Sequence, residues 1–254
     1  MDLGFKGKTI VITGGTKGIG SGISEVFAQE GGNLIIDYRS DPENSEAFIQ
    51  SLRDKYGVQA YGIQEEVGTV EAAKRIFDFA EEKFGRLDVL INNAGSGPTK
   101  HITEVTLDEW NECLRVNVTG QFLMSQEFAN RLIAAGKGGY IVNLLSKASM
   151  STTTKGRGAY VTNKHAELGL VRQLAVDLID KGIFTVGVMP GSVMNQRMSK
   201  FTPEQLAARS ARCPIGRPNT PIEMGYYVAW LASEKNKVAL GCGADATGGM
   251  LLGF

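Results

Sequence analysis

One tyrosine and one lysine stand at a spacing that suits proton transfer. Tyr160 and Lys164 are four residues apart in a segment of helical periodicity, so both lie on one face of the predicted helix. A nearby ammonium favours the phenolate form of tyrosine, which would let Tyr160 exchange a proton near neutral pH. Ser146 directly follows a predicted strand, where its hydroxyl can bond to a substrate oxygen. The pair Tyr160 and Lys164 is weak evidence of catalysis when it is taken alone.

A glycine-rich turn has the features of a phosphate-binding site. Gly14, Gly18 and Gly20 stand between a predicted strand and a predicted helix, where glycine lets the backbone turn tightly and approach a ligand. The helix start presents free N–H groups and a positive dipole end to an anion. The spacing departs from G-x-G-x-x-G, and no Gly-Lys-Ser/Thr follows, so the turn is not a P-loop. This strand–turn–helix context favours dinucleotide binding over a plain turn.

The end of the second predicted strand bears on the type of dinucleotide. Asp37 suits the ribose hydroxyls of NAD, whereas Arg39 suits the 2′-phosphate of NADP. Lys17 in the glycine turn adds a second cation, and a fork-shaped guanidinium suits phosphate. Lys17 and Arg39 therefore favour NADP, while Asp37 leaves NAD open. The alternative to a phosphate-binding role is that both cations are merely solvated.

The elements that must position these residues alternate along the chain. Apolar runs at 9–13, 34–36, 89–91, 140–145 and 184–189 indicate buried strands. Runs with the apolar spacing of helices lie at 20–29, 44–55, 70–84, 107–134 and 159–179. This alternation predicts an α/β fold, a doubly wound parallel sheet covered by helices on both faces. Ligands of such sheets bind beyond the carboxyl ends of the strands, and no linker divides the predicted single domain, 1–254.

Composition and charge exclude several classes of protein. The chain has 27 basic and 27 acidic side chains, a balance that disfavours a nucleic-acid or membrane-surface partner. Its 32 glycines among 254 residues are a larger share than the average of ~7%, and they indicate special backbone positions. Three separated cysteines exclude the usual zinc spacings and indicate reduced thiols, so we expect no metal and a cytoplasmic location. We find no signal-peptide pattern and no run near the ~20 apolar residues that cross a bilayer.

In combination the motifs resemble the short-chain dehydrogenase/reductase family, in its classical type. They are Thr13-Gly14-(x)3-Gly18-Ile19-Gly20, Asn92-Asn93-Ala94-Gly95, Asn117, Ser146, Tyr160-(x)3-Lys164 and Pro190-Gly191, in the family's order and over nearly the whole chain. The resemblance implies a Rossmann fold of about seven strands and hydride transfer between NAD(P)(H) and a carbonyl or alcohol. It also implies a homotetramer or homodimer paired through the long helices.

The resemblance assigns a role to each matching residue. Tyr160 would be the general acid in reduction and the base in oxidation, and Lys164 would hold the nicotinamide ribose. Ser146 would orient the substrate oxygen, and Asn117 would hold a water that links Lys164 to solvent. The implied cofactor contacts are Gly14, Thr16, Lys17, Gly18, Ile19, Gly20, Arg39, Ser40, Glu66, Val67, Asn93, Ala94, Gly95, Tyr160, Lys164, Pro190, Gly191, Val193 and Asn195.

Some positions sharpen or depart from the family pattern. Tyr38, and not Asp37, aligns with the acid that selects NAD, which strengthens NADP. Glu66 replaces the family's aspartate near the adenine, and Asn195 replaces a threonine after Pro190-Gly191. None of these changes removes a catalytic residue, so the resemblance implies an active enzyme.

Substrate choice is expected from three segments, 96–101, 147–157 and a lid at about 192–212. The predicted substrate contacts are Ser146, Met150, Arg157, Tyr160, Met194 and Met198. Methionine fills irregular apolar pockets, so a sizeable, partly apolar substrate is one hypothesis and ordinary loop packing is the other. Arg157 and Arg197 would instead suit an anionic substrate.

Two classes of function therefore stand open. The first is an NADP-dependent carbonyl reductase or alcohol dehydrogenase, with 3-oxoacyl-[acyl-carrier-protein] reductase as the rival activity. The second is a cofactor-binding sensor or scaffold without turnover. The complete set of Asn117, Ser146, Tyr160 and Lys164 favours the enzyme.

Overall fold

Seven strands form one parallel sheet in the part of the chain that the computed structural model describes, residues 2–151, 155–196 and 198–252. They are β1 (Thr9–Ile12), β2 (Asn33–Tyr38), β3 (Ala60–Gln64), β4 (Val89–Asn92), β5 (Gly139–Leu144), β6 (Ile183–Pro190) and β7 (Gly243–Ala246). Their order across the sheet is β3-β2-β1-β4-β5-β6-β7. The chain builds outward from β1 in one direction and then from β4 in the other, so the predicted doubly wound sheet is confirmed.

Helices cover both faces of this sheet. They are α1 (Gly18–Gln29), α2 (Pro42–Tyr56), α3 (Val70–Phe84), α4 (Leu107–Leu114), α5 (Gly120–Ala134), α6 (Gly158–Leu178), α7 (Pro203–Ser210) and α8 (Pro221–Leu231). Side chains alternate along a strand, so Ile10 and Ile12 of β1 pack in one core with α1, α2 and α8. Val11 packs on the opposite face with α3 and α5. Strand β1 is therefore apolar on both sides, as the sequence predicts.

Local residue choices fix where several helices begin and end. A threonine hydroxyl accepts a backbone N–H at the starts of α3, α4, α7 and α8, from Thr69, Thr106, Thr202 and Thr220. Such a cap satisfies one of the N–H groups that have no partner inside the helix. Gly57 and Gly85 follow α2 and α3 in the left-handed conformation that glycine adopts without strain.

The structure differs from the predicted elements in the long helix that precedes the site, and it has the short helix expected in the lid at 203–212. The predicted helix over 107–134 is divided, because residues Arg115–Thr119 form a π-helical turn between α4 and α5. The predicted lid at 192–212 carries α7 and a short 3₁₀ turn, and its Arg197 lies outside the described residues, as do Thr152–Thr154 of the segment 147–157. Among the described residues, no helix combines the length and the apolar character needed to span a membrane.

Helices α1 and α8 pack with their backbones in direct contact. A Cβ atom at Gly22 of α1 would collide with the carbonyl of Pro221, and one at Gly225 of α8 would collide with the carbonyl of Gly22. Only glycine permits so close an approach. The contact holds the start of α8 against α1, whose own start faces the site described below.

Candidate active site

A long cavity follows the carboxyl edge of the sheet, where the predicted motifs meet. Its volume is about 930 Å³, in the range of ligand pockets, ~300–1,000 Å³. It extends from the glycine turn past Tyr160 to the lid. Among the predicted cofactor contacts, those lining it are Gly14, Thr16, Lys17, Gly18, Ile19, Arg39, Ser40, Glu66, Val67, Asn93, Ala94, Gly95, Tyr160, Lys164, Gly191, Val193 and Asn195. The predicted contacts Gly20 and Pro190 do not line it.

The glycine turn has a braced backbone. Gly14 and Gly18 have φ angles of 62° and 53°, in the left-handed region that favours glycine. The side-chain amide of Asn93 donates hydrogen bonds to the carbonyls of Thr13 and Gly14, both at 2.9 Å. A Cβ at Gly20 would collide with the Gly14 carbonyl. The Asn93 side chain therefore holds the shape of the turn, while the sequence assigns Asn93 to a cofactor ribose.

The start of α1 is suited to bind an anion. Its N-cap, Lys17, makes no side-chain cap hydrogen bond, and the first turn contains no acidic residue. By contrast, α3, α4, α7 and α8 are capped by threonine hydroxyls. Because Gly18 and Ile19 line the cavity, the open helix start faces it with its N–H groups and positive dipole end. The residues present thus fit a diphosphate.

Two cations stand at the same end of the cavity, as the sequence predicts. Lys17 Nζ lies 3.0 Å from Asp41 Oδ2, and Arg39 Nη1 lies 3.6 Å from Glu66 Oε1. The Lys17 and Arg39 side chains are 42% and 60% exposed, so solvent screens these ion pairs and they are weak. Exposed, weakly held cations can turn to a phosphate that enters the cavity.

Asp37 faces the glycine turn, and its carboxyl is buried. Its Oδ2 accepts a hydrogen bond from the Gly14 N–H at 3.2 Å, and Oδ1 has no partner among the described residues. Burial raises the pKa of Asp37 to about 7, although the hydrogen bond from Gly14 acts against this rise. Tyr38, the next residue, donates to Glu46 at 3.1 Å.

Tyr160 and Lys164 meet on one face of α6, as their spacing predicts. Lys164 Nζ lies 5.6 Å from the centroid of the Tyr160 ring. Lys164 is buried and donates to the Leu144 carbonyl at 2.8 Å and to Glu167 Oε2 at 2.7 Å. Ser146 follows β5 and lines the same cavity, with its hydroxyl accepting the Ala148 N–H at 3.1 Å. An acid–base group, a cation and a hydroxyl thus share one wall.

Asn117 lies in the π-helical turn, and its side chain is fully engaged. Its amide nitrogen donates to the carbonyls of Ser96 and Cys113, at 2.5 and 2.7 Å, and its Oδ1 accepts the Ser96 N–H at 3.0 Å. Single π-helical turns are frequent at functional sites. Here the turn lets Asn117 fix the loop after β4, next to Gly95, which lines the cavity. Asn117 does not itself line the cavity among the described residues.

The predicted substrate residues divide into two groups. Ser146, Arg157, Tyr160 and Met194 line the cavity. Met150 is 58% exposed and Met198 is buried, and neither lines the cavity, so the structure does not bring all of the methionines together. Met250, which belongs to none of the motifs, lines the cavity near the end of the described chain.

Cations line the cavity next to Tyr160 and Ser146 and in the lid. The Arg157 guanidinium carbon lies 4.1 Å from the centroid of the Tyr160 ring, and Arg157 donates to the Thr99 hydroxyl at 3.1 Å. Lys147, Arg209 and Arg212 also line the cavity, whose described acidic lining residues, Asp37, Glu65 and Glu66, belong to β2 and the segment after β3. This part of the cavity therefore attracts polar or anionic groups. A group of three or more histidine, cysteine or acidic residues that could hold a metal is absent from the described residues.

Glu167 and Gln121 belong to none of the motifs, yet Glu167 contacts Lys164 directly and Gln121 contacts Glu167. Glu167 accepts from Lys164, and Gln121 Nε2 donates to the same Glu167 oxygen at 3.0 Å. The one available signal is that Glu167 follows Lys164 by three residues on a helix, a spacing at which side chains meet.

Comparisons with known proteins find related sequences and structures over most of the chain. The sequence model described as short chain dehydrogenase matches residues 8–206. The chain is 30% identical to 3-oxoacyl-[acyl-carrier-protein] reductase FabG of Aquifex aeolicus, over 98% of this chain and 100% of that protein. It is 29% identical to glucose 1-dehydrogenase 2 of Bacillus subtilis, over 97% and 95%. The structure of L-sorbose reductase from Gluconobacter frateurii, complexed with NADPH and L-sorbose, superposes with a TM-score of 0.92 at 26% identity and covers 100% of both chains.

Proposed function

The chain belongs to the short-chain dehydrogenase family, and we propose that it is an NADP(H)-dependent oxidoreductase acting on a carbonyl or secondary alcohol. One observation carries the proposal. Tyr160, Lys164 and Ser146 line the same cavity that begins at the open start of α1. A proton-transfer group and a phosphate-binding turn thus face one ligand.

The chain's own residues would hold the dinucleotide along the cavity. The α1 start at Gly18 and Ile19 would bind the diphosphate through backbone N–H groups. Lys164 would hold the nicotinamide ribose, and Val193 and Asn195 would contact the carboxamide. When bound, the nicotinamide supplies or accepts the hydride. Glu66 and Val67, which line the cavity beside Arg39, would contact the adenine.

The preference for NADP rests on charge at the far end of the cavity. Lys17 and Arg39 line it, whereas the Asp37 carboxyl is turned to Gly14. A carboxyl held by a backbone N–H is poorly placed to select the ribose hydroxyls of NAD. The solved relative with NADPH supports the same choice.

The proton steps belong to Tyr160. In reduction its hydroxyl would donate a proton to the carbonyl oxygen as hydride reaches the carbon, and in oxidation its phenolate would accept the proton. The Lys164 ammonium would stabilise the phenolate. The Ser146 hydroxyl would donate a hydrogen bond to the same substrate oxygen. Asn117 would hold the loop at Ser96 in place. The proposal also includes the water that the family resemblance implies, which would link Lys164 to solvent.

The test is turnover with NADPH. The purified protein is assayed with NADPH and a panel of carbonyl compounds, beside Tyr160→Phe and the control Tyr226→Phe, an exposed tyrosine remote from the cavity. We expect Tyr160→Phe to lower kcat by about 10²–10⁴-fold, because the general acid is lost. The control should stay within about twofold. No turnover with any carbonyl, together with tight NADPH binding, would favour the non-catalytic sensor or scaffold.

We propose a polar carbonyl compound carrying hydroxyl or carboxylate groups as the substrate. The cations at Lys147, Arg157, Arg209 and Arg212 favour such groups, and the relatives named for glucose and L-sorbose support them. The alternative is a 3-oxoacyl thioester, which the relative from Aquifex aeolicus supports. The panel therefore includes L-sorbose, a 2-oxo acid, an acetoacetyl thioester and an apolar ketone. A kcat/KM highest for the apolar ketone would contradict the proposal.

We further propose a homotetramer or homodimer in the cytoplasm. Leu107 of α4, Phe122 of α5 and Val176 of α6 are exposed apolar residues on the long helices, and pairing would bury them. Two of the three cysteines are buried and all three are free, which supports a reducing compartment. Analytical ultracentrifugation would contradict the assembly if the protein sediments as a monomer.

A further inference from the structure

A lysine and a glutamate form a buried ion pair directly behind Tyr160. The side chains of Lys164 and Glu167 are 5% and 0% exposed, and Lys164 Nζ lies 2.7 Å from Glu167 Oε2. Charged side chains are almost never so deeply buried unless they are paired. Replacing a buried ion pair with apolar groups is often neutral or stabilising, so fold stability alone does not require this pair.

The three N–H groups of the Lys164 ammonium are unequally used. One donates to the Leu144 carbonyl at 2.8 Å and a second to Glu167. Both acceptors are part of the protein's interior, and Lys164 lines the cavity. The third N–H is therefore the one left for a ligand. The two fixed bonds set where the ammonium points, because a lysine side chain otherwise rotates freely about four carbon–carbon bonds.

Glu167 is itself held in place. Its Oε2 accepts a second hydrogen bond, from Gln121 Nε2 of α5 at 3.0 Å, while Oε1 has no partner among the described residues. Asn117, which stands one helical turn before Gln121, is committed to Ser96 and Cys113. The described side chain that fixes the Lys164 ammonium is thus Glu167.

The titratable groups around Lys164 all raise its pKa. Burial is the largest single influence and lowers the pKa of Lys164, but Glu167, Tyr160 and Cys113 together outweigh burial and raise this pKa, with Glu167 contributing both its charge and its hydrogen bond. Burial raises the pKa of Glu167, which the Lys164 ammonium and Gln121 oppose. Removing the carboxylate would leave Lys164 with burial as the dominant influence and so favour loss of its proton.

We propose that Glu167, held by Gln121, is a positioning residue that fixes the Lys164 ammonium at the cavity wall beside Tyr160. It acts through Lys164 and does not touch the substrate. The inference rests on the proposed function, since it assigns Lys164 to the cofactor and to the acid–base step. It adds a carboxylate to the four residues that the family resemblance supplies.

The first test is a pH profile of kcat in the direction of carbonyl reduction. Wild type, Glu167→Gln and the control Asp177→Asn are compared, the last being an exposed acid on the same helix. An opposite charge at hydrogen-bond distance moves a pKa by about one to three units. Without the Glu167 carboxylate, Lys164 loses its proton at lower pH. We therefore expect the alkaline limb of the kcat profile of Glu167→Gln to move to lower pH by about one unit or more. Asp177→Asn should follow wild type. An alkaline limb of Glu167→Gln that coincides with that of wild type overturns the proposal, whatever happens to the amplitude of kcat.

The second test needs no turnover. Thermal unfolding is measured for Glu167→Leu, Lys164→Met and the double variant. Each single change leaves one buried charge unpaired, so each should lower Tm by about 6 °C or more. The double variant should lose less than the worse single variant, since no unpaired charge remains. If the decrease in Tm of the double variant equals the sum of the decreases of the two single variants, Lys164 and Glu167 are not coupled and the proposal is wrong. A carbonyl panel without activity would instead contradict the proposed function while leaving this coupling intact, so the two failures are distinguishable.

Discussion

Replacing Arg39 with alanine is expected to raise the KM for NADPH about 10- to 30-fold and to leave the KM for NADH within about twofold. NADPH and NADH differ only by the 2′-phosphate, and Arg39 stands at the end of the cavity where Lys17 supplies a second cation. The comparison of the two cofactors in one variant therefore isolates the interaction with that phosphate.

The magnitude follows from the charge and exposure of Arg39. A hydrogen bond to a charged group contributes about 1.5–3 kcal/mol. Its 60% exposed side chain places the value near the middle of that range, because solvent screens an exposed charge. Binding the phosphate also requires Arg39 to leave Glu66, a pair worth at most about 1 kcal/mol. The difference, about 1.4–2 kcal/mol, corresponds to a factor of about 10 to 30.

The assay is initial-rate kinetics with each cofactor at saturating carbonyl substrate, on wild type, Arg39→Ala and the control Lys235→Ala. Lys235 is exposed on the loop after α8 and does not line the cavity, so its removal changes net charge equally without touching the site. An equal rise in KM for NADPH and NADH would refute the phosphate contact. A rise in both variants would show that net charge alone is responsible.

Two further predictions concern stability. Because the pKa of Asp37 is raised by burial to about 7 from its usual value of 3.8, the native state binds an extra proton between those values. The free energy of unfolding contributed by Asp37 therefore falls as pH rises from about 4 to about 7, by up to about 4 kcal/mol. Urea unfolding of Asp37→Asn should lack this fall, and an identical pH dependence would contradict it. Gly22→Ala should cost about 3 kcal/mol, since its Cβ would collide with Pro221, whereas Gly169→Ala, with no atom within 4 Å, should gain about 0.5–1 kcal/mol. Equal Tm values for the two glycine variants would contradict the close packing of α1 on α8.

The fold could be predicted because its central strands are apolar on both faces. An apolar run such as 9–13 is interpreted as a buried strand when a segment of helical periodicity follows it. The outer strands β3 and β7 contain only half-buried or exposed residues at most positions, so no apolar run marks them. The π-helical turn at Arg115–Thr119 lacks a signal too, since helical spacing continues through it.

The candidate site could be predicted in its residue types and less well in its contacts. The Tyr160 and Lys164 spacing requires a helix, and α6 supplies it. The assignment of Asn93 to a ribose does not include the hydrogen bonds that Asn93 donates to Thr13 and Gly14, which follow β1 about 80 residues earlier in the chain. Contacts between distant segments depend on the packed structure and leave no pattern in the local sequence.

The two ends of the cavity use charge in opposite ways. Lys17 and Arg39 are exposed, so their pairs with Asp41 and Glu66 are weak and can be exchanged for a phosphate. Lys164 is buried, and removing its partner would leave an uncompensated charge, so its pair with Glu167 stays in place. A cofactor that binds and leaves in every cycle needs the first arrangement, and a proton-transfer step that needs one fixed geometry needs the second. The difference in burial therefore suits each end of the cavity to its proposed task.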